Sequence, residues 1–281
     1  MHLAESLPLL STALALRVDT QARRPAHSSM NQATDTRDGQ PAISAILPVH
    51  NRHAFVEETI LDATAVLDGL VGDAFEIVVV DDASTDATPA VLADLRRRRP
   101  NLPVRVVRHT SSRGIAAAML SGFETAQSEL IVTMPVDGQF DMRELNRLLD
   151  ALDDGTDLVI GYRHERSDSV LRRLSSWTYN GAVNLLFGHT ARDVGCGFKL
   201  FRRSVWQAVR TDLRSENFNT ELVVRARRYG FSVREVPVRQ YPVDGVDEPS
   251  VFGPTLIALM QLRRQLPSSA GGQPAIDRRA A

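Results

Sequence analysis

The alternation of short apolar runs with helical segments between residues 43 and 160 constrains the fold more than any other feature of this sequence. Phe75–Val80 reads FEIVVV, and such a run of β-branched residues is typical of a buried strand. Shorter apolar runs occupy Ile43–Leu47, Val104–Val107, Leu130–Thr133 and Leu158–Ile160. Segments with helical spacing, about 10–15 residues long, separate these runs. This order predicts an α/β fold with a mostly parallel sheet and helices on both faces.

Beyond Gly161 the elements follow one another less regularly. We expect helices over about Ser169–Leu186 and through Leu222–Tyr229, a glycine-rich turn at Gly195–Gly197 and a strand around Val233–Val238. The whole chain then divides into a flexible extension (residues 1–40), a main domain (41–241), an acidic loop with an amphipathic helix (242–266) and a disordered tail (267–281).

The amino-terminal extension carries little structural signal. Leu7–Leu16 is apolar but lacks the basic start of a secretory signal, and Met30 is an alternative start of translation. No window approaches the roughly 20 apolar residues that cross a bilayer. We therefore expect a cytoplasmic protein and leave open a peripheral contact at the inner face of the membrane.

Composition excludes several function classes. The 33 Lys and Arg residues balance 34 Asp and Glu residues, whereas a dedicated nucleic-acid binder carries a basic excess. Cys196 is the single cysteine, so an internal disulfide and a cysteine-rich metal site are excluded. We expect Cys196 to be a small core residue. The chain also lacks G-x-G-x-x-G after its first strand and has no P-loop motif, which disfavours dinucleotide binding and P-loop chemistry.

Acidic residues follow two of the predicted strands, at the sheet edge where α/β proteins bind ligands. Asp81 and Asp82 end the second strand, and they come too early to cap the next helix, a position that suits Asp86. Two adjacent carboxylates at a buried strand end repel each other unless a ligand or a hydrogen-bond donor uses them.

The loop after the fourth strand holds a candidate metal site. Asp137 and the carbonyl of Gln139 offer hard oxygen ligands for Mg²⁺ or Mn²⁺. A site for either cation usually has one or two carboxylate ligands, and Asp137 supplies only one. Asp141, with Glu144 three residues later, is better explained as a helix cap.

These motifs together resemble glycosyltransferase family 2, in particular the branch of dolichol-phosphate mannose synthase and related polyprenyl-phosphate sugar transferases. The resemblance runs from about Ile43 to Tyr241. It rests on these segments: Pro48–Asn51, Val78–Asp86, Arg113-Gly114 with Ala118 and Gly122, Asp137–Asp141, Gly161–Arg163, Asp193 with Gly197–Lys199, Asn219–Leu222 and Glu235–Val238. It implies a GT-A fold with a Rossmann-like sheet, a nucleotide-diphosphate sugar as donor, Mg²⁺ or Mn²⁺ as cofactor and inversion at the sugar carbon.

The resemblance also implies residue roles. Pro48 and Asn51 would border the nucleotide, Asp82 or its neighbour Asp81 would read the base, and Arg113 would approach the nucleotide. Asp137 and Gln139 would hold the metal and the diphosphate.

On the acceptor side, Asp193 would lie near the reacting carbon and would serve as general base for a hydroxyl acceptor, whereas a phosphate acceptor needs none. The alternative for Asp193 is an ion pair with Arg192 or Lys199. Arg163, Arg172 and Arg173 are candidates for the acceptor phosphate. A solvated helix face is the alternative for Arg172 and Arg173.

The chain departs from the family pattern at three places. Pro135 replaces the first acid of the usual Asp-x-Asp, and Ser112 replaces the asparagine that commonly precedes Arg-Gly. The loop after Tyr241, where relatives carry a basic segment, holds three acids and no base up to Arg263. An acidic loop repels a diphosphate.

Three functions therefore remain open: a working transferase, a degenerate transferase that binds a nucleotide or a partner without turnover, and a nucleotidyl transferase. The last lacks the glycine- and lysine-rich loop expected for it. The segment Phe252–Arg264 is amphipathic, and its apolar face could rest on a membrane or on the protein's own core.

Overall fold

The structure is a computed structural model that describes residues 41–165, 170–209, 217–241 and 253–266, without the side chains of residues 165, 170–173 and 253–256. The predicted extension, the acidic loop and the tail lie outside these residues, so the division of the chain into segments stays a prediction. The described strands are β1 (Ile43–Val49), β2 (Phe75–Asp81), β3 (Val104–Arg108), β4 (Leu130–Thr133), β5 (Leu158–Glu165), β6 (Lys199–Arg202) and β7 (Val233–Arg239). The described α-helices are α1 (Val56–Val71), α2 (Thr88–Arg98), α3 (Gly114–Thr125), α4 (Leu145–Ala151), α5 (Val170–Phe187), α6 (Arg203–Val209), α7 (Phe218–Arg228) and α8 (Gly253–Gln265).

The described strands form one seven-stranded sheet in the order β3-β2-β1-β4-β6-β5-β7. Strands β3, β2, β1 and β4 are parallel, and every residue of β2 is buried. Strand β6 runs antiparallel to both β4 and β5, and β5 pairs in parallel with β7. The mostly parallel sheet predicted from the sequence is confirmed.

The reversed strand β6 brings a late part of the chain to the edge where the other strands end. Strand β6 starts where β4 finishes, and its first residue, Lys199, pairs with Thr133 of β4 and with Ile160 of β5. The glycine-rich turn before β6 therefore lies beside the loop after β4. The loops that follow β1, β2 and β4 leave the sheet at this same edge.

Close packing between α3 and the sheet explains why residue 122, in α3, is a glycine. A Cβ on Gly122 would lie 2.4 Å from the Ile46 side chain, so a larger residue at this position would push the helix away from β1. This contact holds α3, and with it the loop at its amino terminus, against the centre of the sheet.

The two predicted caps are confirmed, with one change. The Asp86 carboxylate accepts a hydrogen bond from the Thr88 amide at 2.9 Å at the start of α2. The Asp141 carboxylate accepts one from the Arg143 amide at 2.8 Å, and this opens a 3₁₀ turn over Met142–Glu144 ahead of α4. Glu144 does not complete the expected box with Asp141. Its carboxylate lies 3.0 Å from Arg147.

The apolar face of α8 packs on the protein itself. Leu259, Leu262 and Leu266 are buried, and Arg225 of α7 donates a hydrogen bond to the Gln265 side chain at 3.2 Å. The interpretation that these leucines rest on a membrane is therefore wrong, and packing on the protein's own core is confirmed for them. Among the described residues, no helix has both the length and the apolar character needed to cross a bilayer.

Candidate functional site

A cleft of about 310 Å³ lies at the carboxyl edge of the sheet. Residues after β1, β2 and β4, the first turns of α3, Gly197 and Asn219 line it. Two of its carboxylates were predicted as site residues, Asp82 and Asp137, and Pro48 also lines it. Asn51, Asp81, Arg113 and Gln139, the other residues predicted for the nucleotide and the diphosphate, do not line it.

Asp82 organises the loop that leads into α3. Its carboxylate accepts hydrogen bonds from the backbone amides of Arg113 and Gly114 at 2.9 and 2.8 Å, from the Ser112 hydroxyl at 2.9 Å and from the His109 ring at 2.6 Å. A carboxylate offers about four acceptor positions, and protein donors occupy them. Ser112, which departs from the family pattern, thus contributes one of these bonds.

Burial of Asp82 would raise the pKa of its carboxyl, but the hydrogen bonds from Arg113, His109, Gly114 and Ser112 outweigh burial and hold the pKa below its ordinary value of 3.8. The carboxylate is therefore charged at neutral pH and is committed to the protein. This contact favours a positioning role for Asp82 over direct hydrogen bonding to a base.

Asp81 points to a different set of partners from Asp82. It is buried, accepts a hydrogen bond from the Ser84 amide at 2.8 Å and lies 3.3 Å from the Arg108 guanidinium of the neighbouring strand. Asp81 does not line the cleft. The adjacent carboxylates thus escape mutual repulsion because each has its own donors.

Asn51 joins the loop after β1 to the loop after β2. Its backbone has a φ of 53°, a conformation that asparagine tolerates better than most residues. Its side-chain oxygen accepts hydrogen bonds from the amides of Thr85 and Asp86 at 2.8 and 3.3 Å, and its own amide donates to Ser84 at 2.9 Å. Asn51 therefore shapes the border of the cleft without lining it.

Asp137 and Gln139 lie in the same loop but face different neighbours. Asp137 is half-buried, lines the cleft and accepts a hydrogen bond from the Gln139 amide at 3.0 Å. The Gln139 side-chain oxygen accepts from Gln240 at 2.6 Å, and its backbone oxygen accepts from the Tyr241 amide at 2.9 Å. Gln139 thus ties the candidate metal loop to the end of β7, and Asp137 alone offers a carboxylate to the cleft from this loop.

Pro135 occupies the wall of the cleft opposite the glycine-rich turn. A Cβ on Gly197 would lie 2.6 Å from the Pro135 ring, so a larger residue at position 197 would clash with the ring. The Thr133 hydroxyl donates to the Gly197 carbonyl at 2.8 Å and holds the two segments together. A close apolar contact therefore stands where relatives carry a carboxylate.

The described residues fit a divalent cation only as a minimal site. They hold no group of three or more His, Cys, Asp or Glu side chains able to bind a metal. Asp137 lines the cleft, and a cation there would take most of its ligands from diphosphate oxygens and water, as Mg²⁺ commonly does.

Asp193 and Arg163, which were predicted to act separately, form one ion pair. The Arg163 guanidinium donates to both Asp193 oxygens, at 2.7 and 2.9 Å, and its backbone amide lies 3.2 Å from the same carboxylate. The alternative of an ion pair for Asp193 is thus met by Arg163, a partner that the sequence analysis did not name and that lies 30 residues earlier in the chain. Asp193 is buried and does not line the cleft.

The other arginines predicted as site residues have no described side-chain contact in the cleft. Arg113 is exposed, and its contact with Asp82 uses its backbone amide. Arg172 and Arg173 belong to α5, but their side chains lie outside the described residues, so their proposed contact with an acceptor stays a prediction.

Lys199 is a buried residue that the sequence analysis did not assign. Its ammonium donates to the Asn219 side chain at 2.8 Å and to the Cys196 carbonyl. Burial lowers the pKa of this lysine to about 8. Lys199 holds Asn219, which lines the cleft, against the glycine-rich turn. The sequence signal that could have drawn attention to this residue is that it is the only lysine in an arginine-rich chain.

Cys196 is fully buried, as predicted, and burial raises the pKa of its thiol to about 11. At pH 8 this value leaves about 100-fold less thiolate than an exposed cysteine with the ordinary value of 9.0. We expect the native protein to react with Ellman's reagent at least about 100-fold more slowly than the protein unfolded in guanidinium. Equal rates in the two states would contradict the buried position.

Comparison with known proteins identifies relatives of this chain. Residues 44–210, more than half of the chain, match Glycosyl transferase family 2. An undecaprenyl-phosphate 4-deoxy-4-formamido-L-arabinose transferase of Edwardsiella ictaluri is 30% identical over 197 residues, which are 70% of this chain and 59% of that protein. A polyprenol monophosphomannose synthase of Mycolicibacterium smegmatis is 36% identical over 173 residues, 58% of this chain and 65% of that protein. The chain thus spans about three fifths of the length of these relatives.

Solved structures show the fold. Glucosyl-3-phosphoglycerate synthase from Mycobacterium tuberculosis in complex with UDP superimposes with a TM-score of 0.62 at 19% identity, over 88% of this chain and 87% of that one. A mannosyltransferase from Pyrobaculum calidifontis in complex with GDP-Man and Mn²⁺ gives 0.54 at 20% identity, over 73% and 59%. These likenesses confirm the expected GT-A fold, and the match over residues 44–210 shows that the chain belongs to glycosyltransferase family 2.

Proposed function

We propose that this chain is an inverting glycosyltransferase that moves a sugar from a nucleotide-diphosphate sugar, of the GDP-mannose or UDP-glucose type, to a polyprenyl phosphate. The observation that carries the proposal is the cleft in which Asp137 meets the loop anchored by Asp82 at the carboxyl edge of the sheet. The names of the two sequence relatives, both of which act on polyprenyl acceptors, support the acceptor class.

In this proposal each residue of the cleft has a separate task. The loop held by Asp82 and the turn at Pro48 form the nucleotide side of the cleft, and Asn51 joins the loop after β1 to the loop after β2. Asp137 holds a Mg²⁺ or Mn²⁺ ion, which neutralises charge on the departing diphosphate. Gln139 fixes the Asp137 loop to the end of β7.

The state of Asp193 favours a phosphate acceptor over a hydroxyl acceptor. A general base must be free to take a proton, and a carboxylate bound by both arms of an arginine is a weak base. A phosphate acceptor is already anionic and needs no base. We therefore propose that Asp193 positions Arg163, and that Arg163 faces the acceptor phosphate.

A screen of nucleotide sugars against a polyprenyl phosphate, with Mg²⁺ or Mn²⁺ and read by product mass, tests the proposal. We expect one glycosylated polyprenyl phosphate and no product with an acceptor that offers only hydroxyl groups. Glycosylation of phosphoglycerate in place of the lipid would reject the acceptor class while keeping the enzyme class. No product from any donor would reject the transferase.

A degenerate transferase that binds a nucleotide without turnover is the second candidate, and Pro135 favours it because proline supplies no metal ligand. Isothermal titration with UDP and GDP, with and without Mn²⁺, separates the two candidates. Binding that is unaffected by Mn²⁺, together with an empty product screen, would support the binding module.

Replacing Pro135 by aspartate should add a second carboxylate to the cleft and raise the affinity for Mn²⁺ by about 10–100-fold in the presence of the nucleotide. Pro135→Ala is the matched control, since it removes the same ring and adds no ligand. Titration of Mn²⁺ into each nucleotide-bound variant measures the effect. Equal affinities in the two variants would show that residue 135 does not face the cation.

A further inference from the structure

Exposed large apolar side chains are concentrated on two helices of the described chain. Of the seven, five lie on α5 and α8, and these are Leu174, Trp177, Leu185, Ile257 and Met260. Trp177 and Leu185 are 75% and 86% exposed, although burying such side chains would each be worth roughly 1.5–3 kcal/mol. This concentration differs from the scattered exposed apolar residues of an ordinary surface.

Helical spacing places the members of each group on one side of its helix. Leu174, Trp177 and Leu185 follow one another at intervals of three and eight residues, and the opposite side of α5 buries Asn180 and Val183. On α8 the leucine side is buried in the protein, so Ile257 and Met260 point away from it. The two helices pack against each other, so the two exposed groups lie on neighbouring helices.

Charge on these two helices has one sign. Their sequences contain Arg172, Arg173, Arg263 and Arg264 and no acidic residue, in a chain with a net charge of −1. Arg263 and Arg264 are exposed. A surface that combines exposed tryptophan and leucine with arginines matches the boundary between acyl chains and anionic headgroups.

We propose that the apolar face of α5 and α8, defined by Leu174, Trp177, Leu185, Ile257 and Met260, docks this protein on an anionic lipid bilayer. This inference rests on the proposed function, because a polyprenyl phosphate resides in a bilayer. Helix α5 follows β5, which carries Arg163, and in this proposal docking through α5 turns the Arg163 side of the protein, proposed for the acceptor phosphate, towards the lipid. A second copy is a poorer occupant, since a two-fold contact would bring the like-charged helices together.

Flotation of the full chain with vesicles tests the docking without requiring activity. We expect the protein to float with vesicles that contain phosphatidylglycerol and to float less with phosphatidylcholine alone. The double variant Trp177→Gln/Leu185→Gln should lose about tenfold or more in vesicle affinity, about tenfold being the scale for one large apolar side chain. An unchanged melting temperature and unchanged nucleotide binding would show that the variant is folded.

A matched pair of charge variants tests the electrostatic part. Arg263→Gln/Arg264→Gln should weaken binding to the anionic vesicles, whereas Arg96→Gln/Arg97→Gln, at the end of α2, should not. Wild-type protein that stays unbound with both vesicle types overturns the proposal. The proposal is also overturned, in favour of a second copy, if the wild-type protein is a dimer without vesicles and the Trp177→Gln/Leu185→Gln variant is a monomer. Docking without transfer would leave this inference standing and reject only the proposed activity.

Discussion

Replacing Asp137 by alanine should abolish sugar transfer, with a loss in kcat of at least about 10²–10³-fold. Asp137 is the one carboxylate that the loop after β4 presents to the cleft. Pro135 has no side-chain oxygen, and Gln139 is bound to Gln240 and Tyr241. The described residues hold no cluster of three or more Asp, Glu, His or Cys side chains that could bind the cation in its place. The chain should therefore depend on this single side chain more than a relative with two acids does.

The Asp137 variant needs controls for folding and for metal binding. Asp141→Ala removes an acid four residues away that caps a 3₁₀ turn, and it should leave transfer largely intact. Titration of Mn²⁺ in the presence of UDP or GDP should show that Asp137→Ala loses the cation while its melting temperature is retained. Unchanged turnover in Asp137→Ala would reject the working transferase and leave the binding module.

Replacing Asp82 by alanine should lower the free energy of unfolding by about 3–5 kcal/mol. The change leaves the amides of Arg113 and Gly114, the Ser112 hydroxyl and the His109 ring without their shared acceptor. Chemical denaturation at neutral pH measures the loss. Asp94→Ala, which removes an exposed carboxylate from α2, is the control and should change stability little.

The dependence of stability on pH gives an independent check on Asp82. Its folded pKa lies below its ordinary value of 3.8, so the carboxylate contributes its full stabilisation above that pH. The contribution is lost as the pH falls through the folded pKa. Wild-type protein should therefore lose more stability than Asp82→Ala between neutral pH and pH values below 3.8. Parallel curves for the two proteins would show that Asp82 does not anchor the loop.

The elements of the fold could be predicted because their signals are local. Leu130–Thr133 agrees with the observed strand at both ends, and β2 differs from its prediction by one residue. The reversal of β6 could not be predicted, since the pattern of a four-residue strand, here KLFR, does not show in which direction the strand runs. That reversal brings Gly197 beside Pro135, so part of the cleft wall lay beyond prediction as well.

The choice between neighbouring acids also required the tertiary structure. Asp81 and Asp82 are adjacent at a strand end, and their order alone does not say which one meets the cleft. Their partners, Arg108 for one and the Arg113 amide for the other, come from elements that are remote in sequence. The same holds for the pair of Arg163 with Asp193.

The sequence by itself determined the order of strands and helices and the family, and it predicted the sheet edge that carries the cleft, because periodicity and short motifs are properties of neighbouring residues. Only the tertiary structure decided the partner of each polar group and the face of each helix that stays exposed. Those depend on contacts between distant segments, as when the leucines of α8 pack inward and leave Ile257 and Met260 exposed. Packing selects one arrangement from several that the same local pattern allows.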